Sequence, residues 1–163
     1  QLAAALGLDE ADLLPDVPVC VGSTGVPFLY IPLRDPATVD RVVVDLPALS
    51  AWFGDEELVG TFVFAPNPAA GPNRVYSRMI AAHGIGIAED PATGSASGPL
   101  GAYLVRYGLV ASSDEVRIVS EQGTKIGRQS FVHITVRSRP DGGEEIEVGG
   151  GTVPVLEGTL RIA

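Results

Sequence analysis

The sequence predicts an α+β fold in which one buried helix is enclosed by many short strands. Residues 96–107 present no continuous charged face, and a helix that is apolar on nearly every side normally lies inside a core. The chain after residue 108 consists almost entirely of short, strand-like runs. Such a helix has few ways to bury itself other than against a sheet, although two-layer arrangements remain an alternative.

The first half of the chain alternates short helices with strands. Residues 2–6 and 9–14 have helical patterns, which are ended by a glycine and a proline. Two further helical patches are expected at 36–39 and 46–53, and strands at 17–22, 27–33, 59–65 and 74–81. In the second patch, Trp52 and Phe53 are expected to belong to the core.

The central helix has recognisable limits. Gly108 supplies the stop, and small residues allow neighbouring backbone to approach closely at positions 96, 98, 101 and 102. Pro99 lacks an N–H group and would clash with the carbonyl four residues earlier, so it is expected only in the first turn.

Strands follow the helix at 115–120, 130–137, 144–148 and 152–162. The sequence SRPDGGE at 138–144 is expected to form a hairpin, because its Asp-Gly-Gly centre tolerates positive φ. His133 shares the alternating spacing of Phe131 and Thr135. It is expected to project from a strand, with no role assigned.

The loop before the helix carries the candidate chemistry. The first N–H groups of a helix have no partner and its dipole favours negative charge, so Thr93, Gly94 and Ser95 form a candidate cradle for a carboxylate or phosphate. Glu89 and Asp90 place a pair of acids next to this cradle, where they are suited to proton transfer. The alternative is that Thr93 or Ser95 is an ordinary N-cap with no ligand.

Several segments occur in the order typical of one protein family. The motif EDPATGSA at 89–96 is followed by LGAYL at 100–104 and flanked by STGVPFLYIPL at 23–33, EQG at 121–123 and VGGGTVPVLEGTL at 148–160. These segments resemble the PhzF-like phenazine-biosynthesis family, whose members are related to diaminopimelate epimerase. The resemblance runs from about Val17 onward.

The resemblance implies a strongly curved, mostly antiparallel sheet wrapped around one central helix. Proteins of this family are built from two such domains, bind substrate in the cleft between them, and isomerise or epimerise small carboxylic acids by proton transfer without a cofactor. By the same resemblance, Asp90 is the catalytic acid/base and Gly94 and Ser95 hold a substrate carboxylate. Thr93 and Gly123 complete the expected substrate-binding set.

Only the C-terminal domain of such a protein is expected here. Residues 1–16 are interpreted as a linker or the start of the domain, and 17–163 as the PhzF-like C-terminal domain. The glutamate and the GHP-type histidine motif that the family carries in its N-terminal domain have no counterpart in the sequence. The chain is therefore expected to be inactive alone and to need an N-terminal PhzF-like domain, either missing or on a separate chain.

Two alternatives to a separated enzyme half stay open. The chain could be a stand-alone module that binds small carboxylates, or a homodimer in which a second copy covers the uncovered cleft face. Another departure from the family pattern is Gln129, which stands where the family usually has proline. The adjacent Arg128 could pair with a ligand carboxylate or brace an acidic loop.

Composition excludes several classes of protein. The chain has 163 residues, enough for one domain with its own core, and its formal charge of −9 disfavours nucleic acid and anionic membranes. No nucleotide-binding glycine motif or histidine pair with metal-ligand spacing is present, so no cofactor or metal is expected. Nothing resembles a signal peptide or a membrane span, so a soluble protein is expected.

The lone cysteine and a loop histidine are the remaining candidates for functional residues. Cys20 is the only cysteine and lies in a strand-like run, so it is expected to be a buried structural thiol in a cytoplasmic protein. His83 lies between a strand and the acidic loop. It is a possible general base, but a structural or solvent-exposed histidine is the preferred interpretation.

Overall fold

A mixed sheet forms the centre of the molecule. The computed structural model describes residues 1–53, 58–82, 86–111 and 113–161, without the side chains of residues 52 and 53. The strands are β1 Cys20–Ser23, β2 Pro27–Pro32, β3 Gly60–Pro66, β4 Arg74–Ala81, β5 Glu89–Asp90, β6 Glu115–Gln122, β7 Ser130–Ser138 and β8 Glu144–Gly149. The α-helices in this part of the chain are α1 Leu2–Ala5, α2 Pro36–Arg41, α3 Leu46–Phe53 and α4 Gly94–Arg106.

The sheet is curled around α4. Its strand order is β1-β2-β3-β4-β6-β7-β8, with the short β5 pairing with β4. The β2–β3 and β4–β6 pairs are parallel and the other pairs are antiparallel. Helix α4 contacts β1 and β8, which are the two ends of the sheet, and it can do so only because the sheet bends around it. The expected α+β fold, a curved and mostly antiparallel sheet around one buried helix, is confirmed.

The sheet is buried on both faces at β2 and β3. Successive side chains of a strand point to opposite faces, so Phe28 and Tyr30 face α4 while Leu29 and Ile31 face the other way. The inner core contains Phe62, Phe64, Leu100 and Leu104 as well. The outer core is closed by helices of the first fifty residues, through Leu2, Leu6, Val39 and Leu49. Burial on two faces explains why these strands are almost entirely apolar, with Thr61 as the polar exception.

Pro99 departs from expectation, because α4 begins at Gly94 and places this proline in the second turn. A proline there leaves the carbonyl of Ser95, four residues earlier, without its helical donor. The hydroxyl of Thr24 donates to this carbonyl at 3.0 Å and replaces the missing N–H group. A side chain distant in sequence thus makes an interior proline tolerable.

We expect Thr24→Val to lower the free energy of unfolding by about 0.5–1.5 kcal/mol, because the Ser95 carbonyl loses its remaining protein donor. In a Pro99→Ala background the restored N–H group of residue 99 can serve that carbonyl, so Thr24→Val should then cost much less. Urea unfolding of the two single variants and the double variant measures this coupling. Equal costs of Thr24→Val in both backgrounds would contradict the explanation.

The C-terminal segment also departs from expectation. A strand was predicted at 152–162, yet residues 152–161 form neither helix nor strand, and residue 162 lies outside the described residues. The side chains of this segment are exposed, since it has no neighbouring strand to pair with in the part of the chain that the structure describes. The core positions expected for Trp52 and Phe53 fall on side chains outside the description.

Most other predicted elements are confirmed to within a few residues. The main difference is β1, which begins at Cys20 rather than residue 17. Leu2 and Leu6, in the stretch interpreted as a linker or domain start, pack in the outer core. Within the described ranges, no helix has the length and apolarity that a membrane crossing requires.

Cys20 is half-buried rather than fully buried. It packs against the inner core at the start of β1 and, with Tyr30 and Tyr103, lines a small cavity of about 300 Å³. Removal from water raises the pKa of the Cys20 thiol, which keeps it in the protonated form. A thiol is a weak nucleophile, so this environment agrees with a structural role.

Candidate active site

The acidic loop is held against the sheet before it enters α4. Its two-residue strand β5 pairs with β4, with Asp90 opposite Met79 and Glu89 opposite Ile80. Asp90 is half-buried, and the chain then turns at Pro91 into the first turn of α4. The pairing therefore places the Asp90 backbone within a few residues of a helix N-terminus.

Asp90 is positioned by a small hydrogen-bond network. The hydroxyl of Thr93 donates to Oδ2 of Asp90 at 2.7 Å. Gln122, which is fully buried at the end of β6, donates from Nε2 to Oγ1 of Thr93 at 2.8 Å and to the carbonyl of Asp90 at 2.7 Å. Its Oε1 accepts from the N–H group of Thr93 at 3.2 Å. The side chain of Gln122 thus holds both the backbone of Asp90 and Thr93, whose hydroxyl orients the Asp90 carboxylate.

Gln122 was not among the predicted site residues. Its position in the EQG motif, just after the strand expected at 115–120, was the available signal, but the motif gives no indication of which loop the side chain contacts. The contact arises because β6 lies beside β4, whose other neighbours include β5. The site loop and the end of β6 are therefore brought together by the sheet.

The N-terminus of α4 is left open by this network. Thr93 occupies the N-cap position, but its side chain is directed to Asp90 and makes no cap hydrogen bond to the helix. Gly94 and Ser95 are exposed, and apart from its chain neighbours and the backbone of α4, no atom lies within 4 Å of the place where a side chain on Gly94 would begin. Their N–H groups and the positive end of the helix dipole can therefore meet an anion.

Glu89 does not join Asp90, so the expected pair of acids beside the cradle is wrong. Neighbouring residues of a strand point to opposite faces, and β5 directs Glu89 to the outer side. There its carboxylate accepts from the guanidinium of Arg78 at 2.8–3.2 Å. Both side chains are about nine-tenths buried, and Nη1 of Arg78 also donates to the carbonyls of Val39 and Val42. Glu89 is an anchor for the loop.

Gly123 lies close to the backbone of the acidic loop. It has φ of +78°, and a Cβ atom added to it would lie 2.3 Å from the carbonyl oxygen of Arg128 and 2.9 Å from Cα of Pro91. Only a residue without a side chain fits between these two backbones. Its expected contact with substrate stays a prediction, while its contact with Pro91 gives it a second, structural reason to be glycine.

The turn after Gly123 is closed without the proline typical of the family. Oε1 of Glu121 accepts from Nε2 of Gln129 at 2.8 Å and from the hydroxyl of Thr124 at 2.6 Å. Arg128 is exposed, and the structure records no ion pair between it and another described residue. The acidic-loop bracing considered for Arg128 is therefore not seen in the described residues.

We expect Gly123→Ala to lower the free energy of unfolding by about 3 kcal/mol, because it adds both left-handed backbone strain and an overlap with Pro91. Gly127 is a matched control in the same turn, with φ of +71° and no atom within 4 Å of an added Cβ. Gly127→Ala should cost only about 1 kcal/mol of strain. Equal costs in urea unfolding would show that the space at Gly123 is not limiting.

Two surface cavities flank the loop on opposite sides. One of about 640 Å³ lies beside the N-terminus of α4 and is lined by Gly94, Ala92, the exposed His133 and the glycines that follow β8. The other, of about 820 Å³, lies on the outer side next to Arg78 and Glu89 and is largely apolar. The smaller cavity is the one that adjoins the candidate anion cradle. His83 lies outside the described residues.

The fold is that of PhzF and epimerase-fold proteins. The sequence profile of the phenazine biosynthesis-like (PhzC-PhzF) family matches residues 1–158, and the chain belongs to this family.

Individual relatives agree with this assignment. The chain is 37% identical over 150 residues to the uncharacterized isomerase YddE of Escherichia coli O157:H7, a match that covers 91% of this chain and 50% of YddE. It is 36% identical over 124 residues to the trans-2,3-dihydro-3-hydroxyanthranilate isomerase of Pseudomonas chlororaphis, covering 74% of this chain and 44% of that protein.

A solved structure has the same fold. The phenazine biosynthesis protein of the PhzF family from Bacillus anthracis superposes with a TM-score of 0.78 at 24% identity, over 91% of this chain and 50% of that one. The chain thus spans about half the length of the relatives that it matches.

Proposed function

We propose that this chain is one half of a cofactor-independent isomerase or epimerase that moves a proton on a small carboxylic acid. Asp90 is the acid/base of this half, and the N–H groups of Gly94 and Ser95 bind the substrate carboxylate. The observation that carries the proposal is the position of Asp90, fixed by Thr93 and Gln122 beside an uncapped helix N-terminus. The family membership and the isomerase names of the relatives support the reaction type.

A second half is part of the proposal. Moving a proton between two positions or faces needs groups on both sides of the reacting carbon, and the described residues place one acid, Asp90, beside the cradle. The relatives contain about as much chain again as the region that this chain matches. In the proposed enzyme the complementary half supplies the second acid/base and closes the cleft against water, in the cytoplasm.

The roles of Thr93 and Gly123 follow from their contacts. The hydroxyl of Thr93 is engaged with Asp90, so Thr93 acts by orienting the acid. The backbone of Gly123 lies close to Pro91, and in the proposal it also faces the substrate. A carboxylate handle is consistent with the compound named for the P. chlororaphis relative, which is an anthranilate derivative and carries a carboxylate.

We expect the isolated chain to bind benzoate or anthranilate weakly, with Kd in the range of about 1–10 mM, because a single cradle holds one charged group. Titration followed by ¹H–¹⁵N NMR should shift the amide signals of Gly94 and Ser95 most. Benzamide is the matched control, since it has the same ring without the charge, and it should leave these signals unchanged.

Shifts of the same size with benzamide, or shifts confined to other parts of the chain, would contradict the cradle. Ser95→Ala removes only a hydroxyl and keeps the N–H group, so it should weaken binding by a small factor. The reaction itself is tested in a chimera in which this chain replaces the matched region of YddE. Incorporation of solvent deuterium into substrate is expected in the chimera and absent with the chain alone.

A further inference from the structure

The side-chain amide of Gln122 has an orientation that its backbone partners determine. A backbone N–H group can only donate a hydrogen bond, and a carbonyl can only accept one. Oε1 of Gln122 accepts from the N–H group of Thr93 at 3.2 Å, and Nε2 donates to the carbonyl of Asp90 at 2.7 Å. If the amide were turned over, its oxygen would face the carbonyl and its NH2 group would face the N–H group. The amide therefore has a single permitted orientation.

This orientation fixes the direction of the next hydrogen bond. The second hydrogen on Nε2 of Gln122 is donated to Oγ1 of Thr93 at 2.8 Å. The single hydrogen of the Thr93 hydroxyl cannot point back at a donor, so it is given to Oδ2 of Asp90 at 2.7 Å. Gln122 is fully buried and Thr93 is only 6% exposed, so water has little access to reverse this order. The chain of hydrogen bonds therefore runs from Gln122 through Thr93 to Asp90.

A second pair of buried hydroxyls in the same fold has no such fixed direction. The Oγ atoms of Ser77 and Ser120 lie 2.8 Å apart, and either one can be the donor. A hydroxyl both donates and accepts, so that pair can reverse. The hydroxyl of Thr93 cannot, because its neighbour is the NH2 group of Gln122, which does not accept. The fixed direction is thus a property of the amide at position 122.

Oδ2 of Asp90 is consequently always an acceptor. Any proton that Asp90 carries lies on Oδ1, which has no hydrogen-bond partner among the described residues. Asp90 is half-buried and close to the open N-terminus of α4, so Oδ1 is the oxygen left to meet a substrate. Thr93 also cannot pass a proton away from Asp90, since Nε2 of Gln122 cannot receive one.

We infer that Gln122 is a positioning residue that restricts proton transfer by Asp90 to its Oδ1 atom. Gln122 acts through Thr93, whose hydroxyl it keeps in the donating direction toward Oδ2. Hydrogen bonds that follow one another in one direction strengthen each other, so the three groups act as a unit. The inference rests on the acid/base role proposed above for Asp90, and it adds the reacting atom and the residue that selects it.

Neutron diffraction from a crystal of the deuterated chain tests the direction without any variant or activity. The deuteron on Oγ1 of Thr93 should point to Oδ2 of Asp90. The two deuterons on Nε2 of Gln122 should point to Oγ1 of Thr93 and to the carbonyl of Asp90. A deuteron bonded to Oδ2 of Asp90, or a Thr93 hydroxyl that points to Gln122, would overturn the inference.

The effect on the reaction is tested in the YddE chimera. Gln122→Met has a similar volume without the donor, so it should lower kcat by about tenfold to a hundredfold and change KM by less than about threefold. Thr93→Ser keeps the hydroxyl, and in that background Gln122→Met should lower kcat by the same factor. Thr93→Val leaves no hydroxyl to direct, so there Gln122→Met should change kcat by less than about twofold.

A merely structural role for Gln122 predicts a different result. Gln122→Met would then lower kcat by equal factors in the Thr93→Ser and Thr93→Val backgrounds, and equal factors would overturn the inference.

The inference and the proposed function fail in different ways. Chimera activity that survives Asp90→Asn would overturn the role of Asp90 even if the deuterons lie as expected. A Thr93 hydroxyl that points to Gln122, with chimera activity that depends on Asp90, would overturn only the positioning role of Gln122.

Discussion

Asp90→Asn should lower kcat/KM of the YddE chimera by about a hundredfold to ten-thousandfold, the range that a positioned general acid or base contributes. Asparagine has the shape of aspartate, and its Oδ1 can still accept the hydrogen bond that the hydroxyl of Thr93 now donates to Oδ2 of Asp90. It cannot take up or release a proton in the working pH range. The assay is incorporation of solvent deuterium into a carboxylic acid that intact YddE itself turns over.

Thr93→Val separates positioning from proton transfer. Valine removes the donor to Asp90 and also the acceptor for Gln122, while the carboxylate of Asp90 remains. We expect a smaller loss of activity than for Asp90→Asn, and a lower free energy of unfolding by about 1–3 kcal/mol because buried polar groups lose partners. Activity that survives Asp90→Asn but is lost in Thr93→Val would assign the chemistry to another group.

The buried helix and most strands could be predicted because their signals are local. The apolar pattern of residues 96–107 and the small residues along it are sufficient to place a helix inside a sheet. Gly101 illustrates the fit, since a Cβ atom there would lie 2.7 Å from a methyl group of Ile134 on β7. The motif around Asp90 likewise predicted which residues stand at the start of the helix, while their role as an anion cradle stays a prediction.

The features that could not be predicted depend on contacts distant in sequence. The outward direction of Glu89 follows from the register of a two-residue strand against β4, which no periodicity reveals. The helix tolerates Pro99 in its second turn because Thr24 reaches the carbonyl of Ser95. The role of Gln122 depends on the sheet that brings β6 beside the acidic loop.

Arg78→Met should lower the free energy of unfolding by about 3–5 kcal/mol, because it leaves the carboxylate of Glu89 buried without its cation. The guanidinium is about nine-tenths buried and serves two carbonyls of α2 and its C-cap as well as the carboxylate. Methionine fills a similar volume, so the loss reflects charge and hydrogen bonding more than packing. Urea unfolding measures the change.

A surface pair supplies the matched control. Arg117 contacts Glu115 at 2.7 Å, but its side chain is 79% exposed, so Arg117→Met should change the free energy of unfolding by less than about 1 kcal/mol. If Arg78→Met costs no more than Arg117→Met, the buried pair does not anchor the loop.

The double variant Arg78→Met/Glu89→Leu tests whether the Arg78–Glu89 pair contributes to overall stability or to holding β5 in place. Replacing both charges with apolar groups removes the unpaired carboxylate, so much of the loss caused by Arg78→Met should be recovered. The loop anchor would not be recovered, because Glu89 precedes Asp90 on the same two-residue strand. The double variant should therefore recover only part of the lost stability, because the carbonyls of Val39 and Val42 still lack their donor, and the amides of β5 should exchange faster with solvent. Restored stability together with unchanged exchange would mean that Asp90 is held by Thr93 and Gln122 alone.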